Sequence, residues 1–163
     1  MRLRKVISAD KKITDAGAWK SGVKMAKTAF QLSKSHSFKV SAKFNWRVVC
    51  FESLGEKFKL LIYYRTDLEN YHADLARDVG GDMLLMARLE FHATHPGWHI
   101  HCLCDSTAGV PGRSGGTDKK IPANYGFNKQ LTFGITNDRL AYDWAVKHYR
   151  LDKLPPAPLF ELK

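Results

Sequence analysis

The chain has 163 residues, 44% of them apolar, which suits one ordinary domain with its own core and excludes an intrinsically disordered chain. Its three cysteines, Cys50, Cys102 and Cys104, exclude a disulfide framework and point to a reducing, cytoplasmic setting. No apolar run approaches a membrane span and the basic N-terminal stretch lacks the apolar centre of a signal peptide, so no membrane partner is expected.

Formal net charge is +10, and its placement matters more than its size. Residues 1–50 carry 12 Lys and Arg against 2 acids, whereas residues 51–163 carry 14 of each, so the whole excess sits in the first third. Such a block is the footprint of a nucleic-acid partner, in preference to an acidic membrane surface.

Residues 1–13 read as a basic arm with a short strand over 3–8. Residues 14–32 fit an amphipathic helix. Ala16, Trp19, Val23, Ala26 and Phe30 recur at helical spacing, and Lys20, Lys24 and Lys27 point away from that stripe as candidate phosphate contacts. The chain thus divides into a basic arm and helix over 1–37, an α+β unit over 38–154 and an extended tail over 155–163. Within the central unit, 46–51 and 59–65 are strands joined by a turn at Leu54-Gly55-Glu56. Residues 67–79 read as a helix, with Leu68, Tyr71, Leu75 and Val79 as its apolar stripe and Gly80-Gly81 as its stop.

Next comes the stretch with the most chemistry. Four of the seven histidines, His92, His95, His99 and His101, fall within ten residues of one another, and Glu90 lies just upstream. Pro96-Gly97 signals a turn between apolar strands over 83–92 and 98–105, which gives a β-hairpin. Alternation puts Glu90 and His92 on one face of the first strand and His99 and His101 on one face of the second. A register pairing His92 with His99 also pairs Glu90 with His101, and all four side chains then converge. Imidazole and carboxylate together suit a divalent transition metal, with Mg or Mn favoured where oxygen ligands dominate.

Residues 106–127 are Gly-rich and contain Arg113, Lys119 and Lys120. Backbone N–H groups in such a loop can wrap phosphate, although the P-loop pattern is absent. A short strand is expected over 130–135. Residues 136–151 form the clearest helix, capped by Thr136 or Asn137, with Leu140, Ala141, Trp144, Ala145, His148 and Leu151 on its core face. Tyr142, Val146, Tyr149 and Lys153 lie on the flank beside that stripe, and Pro155-Pro156 lies beyond the helix end.

Glu90-Phe91-His92 followed across a short turn by His99-Ile100-His101 resembles the HUH endonuclease superfamily, which comprises rolling-circle replication initiators, relaxases and related transposases. The resemblance implies that His99 and His101 bind a metal with Glu90 as third ligand. It also implies an α+β fold, an antiparallel β-sheet flanked by helices of ferredoxin-like or HUH type. The family's helix-borne Tyr, with a Lys three residues on, has its nearest counterpart at 144–149, where Trp144 takes the Tyr position. Tyr149 with Lys153 one turn on, and second Tyr142, are then the candidate nucleophiles.

The expectation that follows is a metal-dependent nuclease or strand-transfer enzyme acting on single-stranded nucleic acid. Glu90, His92, His99 and His101 would hold Mn, Mg or Zn, and Tyr149 would form a covalent phosphotyrosine link. Two other readings stand beside it. One is a metal-dependent ribonuclease with His92 or His99 as general base and no Tyr nucleophile. The other is a non-enzymatic nucleic-acid-binding or partner-blocking protein of a mobile element with a degenerate site.

Overall fold

The computed structural model describes residues 3–31, 39–80, 82–92, 95–102, 118–120 and 133–152. Among these, seven strands form one antiparallel sheet in sequence order: β1 (Lys12–Asp15), β2 (Asn45–Ser53), β3 (Glu56–Arg65), β4 (Asn70–Asp78), β5 (Met83–His92), β6 (His95–Cys102) and β7 (Asp118–Lys120). Two helices, α1 (Leu3–Ser8) and α2 (Asp138–Tyr149), complete an α+β arrangement. No helix among the described residues is long and apolar enough to cross a membrane.

Local chemistry accounts for the sharpest features. Between the paired residues Ser53 and Glu56, Leu54 (φ 54°) and Gly55 (φ 75°) are both left-handed. That is the two-residue turn whose twist matches the flanking strands. Asn137 caps α2, its side chain accepting from the Leu140 N–H at 2.9 Å.

The pleat separates two cores. On one face Val49, Phe51, Ile62, Tyr71, Ala73, Leu75 and Leu89 pack against Leu3 and Val6 of α1 and Ala141, Ala145 and Tyr149 of α2. Trp98 of β6 stacks on Trp144 of α2 at 4.3 Å and 7° and pins the helix there. On the other face Trp46, Leu61, Tyr63, Ala76, Met83 and Leu85 are covered by Met25, Phe30 and Val40, described residues between β1 and β2 that belong to no helix or strand.

Several elements differ from the sequence expectation. Leu3–Ser8 is a helix rather than a strand, because Leu3 and Val6, three apart, both reach the core. The described residues 14–31 of the helix expected over 14–32 form no helix. After β1 the chain crosses β2 so closely at Gly17 (φ +61°) that a Cβ there would lie 2.1 Å from the Val48 carbonyl oxygen. The contact is fixed by Arg47 Nε donating to Ala16 O at 2.6 Å and Trp46 Nε1 donating to Val23 O at 2.7 Å. Residues 67–79 are not a helix either. Their period is two, with Tyr71, Ala73 and Leu75 buried on the helix-covered face, and β4 results. Phe133 to Ile135, the described end of the strand expected over 130–135, has no regular structure, although Ile135 is buried.

Candidate metal centre

A single cross-strand row runs over the face opposite the helices. Trp46 pairs with Tyr63, Tyr63 with His72, His72 with Glu90, and Glu90 with His99. The hairpin register therefore differs from the expected one: Glu90 faces His99, Arg88 faces His101, and His92 faces His95 beyond an irregularity. The offset is two residues, which preserves the face, so Glu90, His99 and His101 still converge.

The two carboxylate oxygens of Glu90 have separate duties. Oε1 lies 2.9 Å from His99 Nε2, 2.5 Å from His101 Nε2 and 3.5 Å from His92 Nε2. Oε2 lies 3.0 Å from His72 Nδ1, off the axis of a well-aligned hydrogen bond, and 4.0 Å from Arg88 Nε. Glu90 and His99 are buried, and the other three rings are partly exposed. Burial pushes the Glu90 carboxyl up, but contacts from His72, His99 and His101 outweigh it and hold the group well below the usual carboxylate range. Glu90 is thus an anion at neutral pH and a competent ligand.

Beside it, Arg88 grips the fully buried Asp74 through Nε at 2.7 Å and a second nitrogen at 3.3 Å. Burial pulls the guanidinium down, but Asp74 overcomes this and raises it above its ordinary value. The wall of the site is therefore charged and fixed.

The donor set fits a metal. One ligand atom from each of Glu90, His99 and His101 lies within 4.8 Å of the others. A tetrahedral ion with bonds of about 2.1 Å sets its ligands roughly 3.4 Å apart, within reach of small side-chain adjustments. Two imidazoles and one carboxylate leave coordination positions open for water and substrate.

No family model matches the chain, and neither a curated protein nor a solved structure matches it. Of the HUH resemblance, the Glu90, His99 and His101 cluster is what the structure supports.

The other candidates are dispersed. His92 touches the carboxylate but stands outside the set of three. Tyr149 is fully buried, and its hydroxyl donates to Ala73 O at 2.8 Å. It sits in the core rather than on the flank beside it, and on the face away from Glu90. Tyr142 is on the same helix, its ring under the Arg47 guanidinium at 4.2 Å. The structure therefore brings neither tyrosine to the histidines. Lys20, Lys24 and Lys27 are exposed on the segment that covers the cluster's own face, and Lys20 lies over the Trp46 ring at 4.7 Å. Lys119 and Lys120 lie on β7, whose backbone pairs with Ile100 and His99. Arg113, Lys153, most of the 106–127 loop and the 155–163 tail fall outside the described residues.

Sequence reasoning misses His72, because the chain around it reads as a helix. The signal was present: Tyr71, Ala73 and Leu75 alternate with His72 and Asp74 at period two.

Proposed function

We propose that the protein is a metal-dependent nuclease acting on single-stranded nucleic acid, with water rather than a tyrosine as the nucleophile. One observation carries the reading: the Glu90, His99 and His101 cluster shares a sheet face with the segment bearing Lys20, Lys24 and Lys27. A divalent ion such as Mn, Mg or Zn supplies a Lewis acid for a phosphoryl oxygen and lowers the pKa of water. Glu90 would contribute a negative ligand, and His99 and His101 the Nε2 atoms that face it. His92, whose Nε2 lies 3.5 Å from Glu90 Oε1 at the rim of the cluster, would serve as the general acid or base. The lysines supply the sequence-independent attraction to phosphate.

The tyrosine mechanism is not carried forward, because α2 packs on the far face of the sheet. A ferredoxin-like, HUH-type arrangement is likewise no part of the proposal, since the described strands follow one another without a crossover.

The test is cleavage of labelled single-stranded and duplex DNA and RNA, with and without added Mn, Mg or Zn. His101→Ala should abolish cleavage, whereas Tyr149→Phe and Tyr142→Phe should retain it and form no covalent adduct. A protein–nucleic acid adduct lost in Tyr149→Phe would return the tyrosine mechanism. Binding without cleavage under every metal condition would favour the non-enzymatic binding module.

A further inference from the structure

We infer that His72 is a positioning residue of the metal centre, holding Glu90 so that one carboxylate oxygen is presented to His99 and His101. The inference rests on the metal-centre reading above and adds a residue to its three ligands.

The geometry divides the carboxylate. Oε1 serves the β6 histidines, at 2.9 and 2.5 Å, while Oε2 is met from the β4 side by His72 Nδ1 at 3.0 Å. Rotation about the last bond of a glutamate is soft, so an unanchored Glu90 carboxylate would turn readily. His72 is itself held in place. It is the direct cross-strand partner of Glu90, and its ring stacks on Tyr63 at 4.5 Å and 11°. Tyr63 is buried and packs edge-on against Phe44 at 5.4 Å. The chain of contacts Phe44, Tyr63, His72, Glu90 therefore ties the ligand to the second core. Arg88 also faces Oε2, but at 4.0 Å and with its nearer contacts on Asp74. Of the two, His72 lies closer to Oε2.

Groups that orient a metal ligand in this way are worth about 10- to 100-fold in metal affinity. Cobalt(II) is a suitable probe, because its visible spectrum reports ligand geometry. The full chain is titrated with cobalt as wild type, His72→Asn, His72→Gln, His72→Phe and His101→Ala, with circular dichroism confirming each fold. Asparagine places an amide N–H near the position of Nδ1, glutamine near that of Nε2, and phenylalanine keeps only the ring against Tyr63. The expected result is near-wild-type affinity and spectrum for His72→Asn. His72→Gln and His72→Phe should bind about 10- to 100-fold more weakly with a shifted spectrum, and His101→Ala should not bind. The Asn and Gln pair decides the matter even if His72→Phe does not fold. Equal affinity and identical spectra for His72→Asn and His72→Gln overturn the role of His72 and leave the metal site standing. Failure of the wild type to bind cobalt overturns the metal-centre reading and this inference with it.

Discussion

Glu90 and Tyr149 lie on opposite faces of one sheet. Glu90 follows Leu89 in β5 and points away from the helices, whereas Tyr149 packs on the Leu89 side and donates to the carbonyl of Ala73, the cross-strand partner of Leu89. The Tyr149 hydroxyl is a structural group, and Tyr149→Phe should cost about 1–2 kcal/mol of stability through one lost buried hydrogen bond. Denaturant unfolding measures that loss. Metal binding and cleavage by the folded variant should match the wild type.

The separation of faces could not be read from α2 alone. Its length, its Asn137 cap and its stripe of Ala141, Ala145 and His148 are legible in the sequence. Which side of the sheet the stripe covers depends on β4, where Leu68, Tyr71, Leu75 and Val79 imitate a helical stripe. Leu68 and Val79 in fact stand exposed on either side of β4. Tyr71, Ala73 and Leu75 carry the true period, and the small Ala73 makes it faint. The β5–β6 hairpin was legible because Glu90, His99 and His101 alternate with Leu89, Phe91, Trp98 and Ile100, but its turn was misplaced: Pro96 and Gly97, expected to make it, stand inside β6, whose pairing with β5 already begins at His95 opposite His92. Its register was not, because a shift of two residues leaves the alternation unchanged. Residues 14–32 misled for another reason: Gly17 is demanded by a close approach to Val48, a tertiary constraint that no local pattern reveals.

His148 should give the fold an acid-sensitive component. Burial pulls its pKa down to about 4. The unfolded chain protonates this residue at its ordinary value near pH 6.5, and the folded chain does not. Stability from this residue is therefore fully present above about pH 6.5, falls as pH drops, and levels off below about pH 4, a total of roughly 3 kcal/mol. Unfolding free energies between pH 7 and pH 4 should show a flatter dependence in His148→Phe than in the wild type.

The Arg88–Asp74 pair should be costly to break from the arginine side. Asp74 is fully buried, and Arg88→Leu strands its carboxylate without a cation at 2.7 Å. Because the Arg88 side chain is 25% exposed, the loss is set at about 2–3 kcal/mol, below the usual range for a fully buried pair. The double variant Arg88→Leu with Asp74→Asn should regain part of it, which thermal or denaturant unfolding of the four proteins in the cycle would measure.

Lys20, Lys24 and Lys27 are exposed on the cluster's face, and replacing all three with Gln should weaken nucleic-acid binding without unfolding the protein. For single strands each lost phosphate contact lowers the slope of log affinity against log salt by about 0.7, so the triple variant should lose about 2 from the slope. Fluorescence anisotropy across a salt series reads this directly. An unchanged slope would place the phosphate-binding surface elsewhere.

The central claim is that Glu90, His99 and His101 hold one divalent metal ion. Metal content by elemental mass spectrometry, after loading with Mn or Zn and exhaustive dialysis, tests it most directly. The account predicts one ion per chain in the wild type and in Tyr149→Phe, and none in Glu90→Gln or His101→Ala that remain folded. No retained ion in the wild type, or an ion retained equally by His101→Ala, would contradict it.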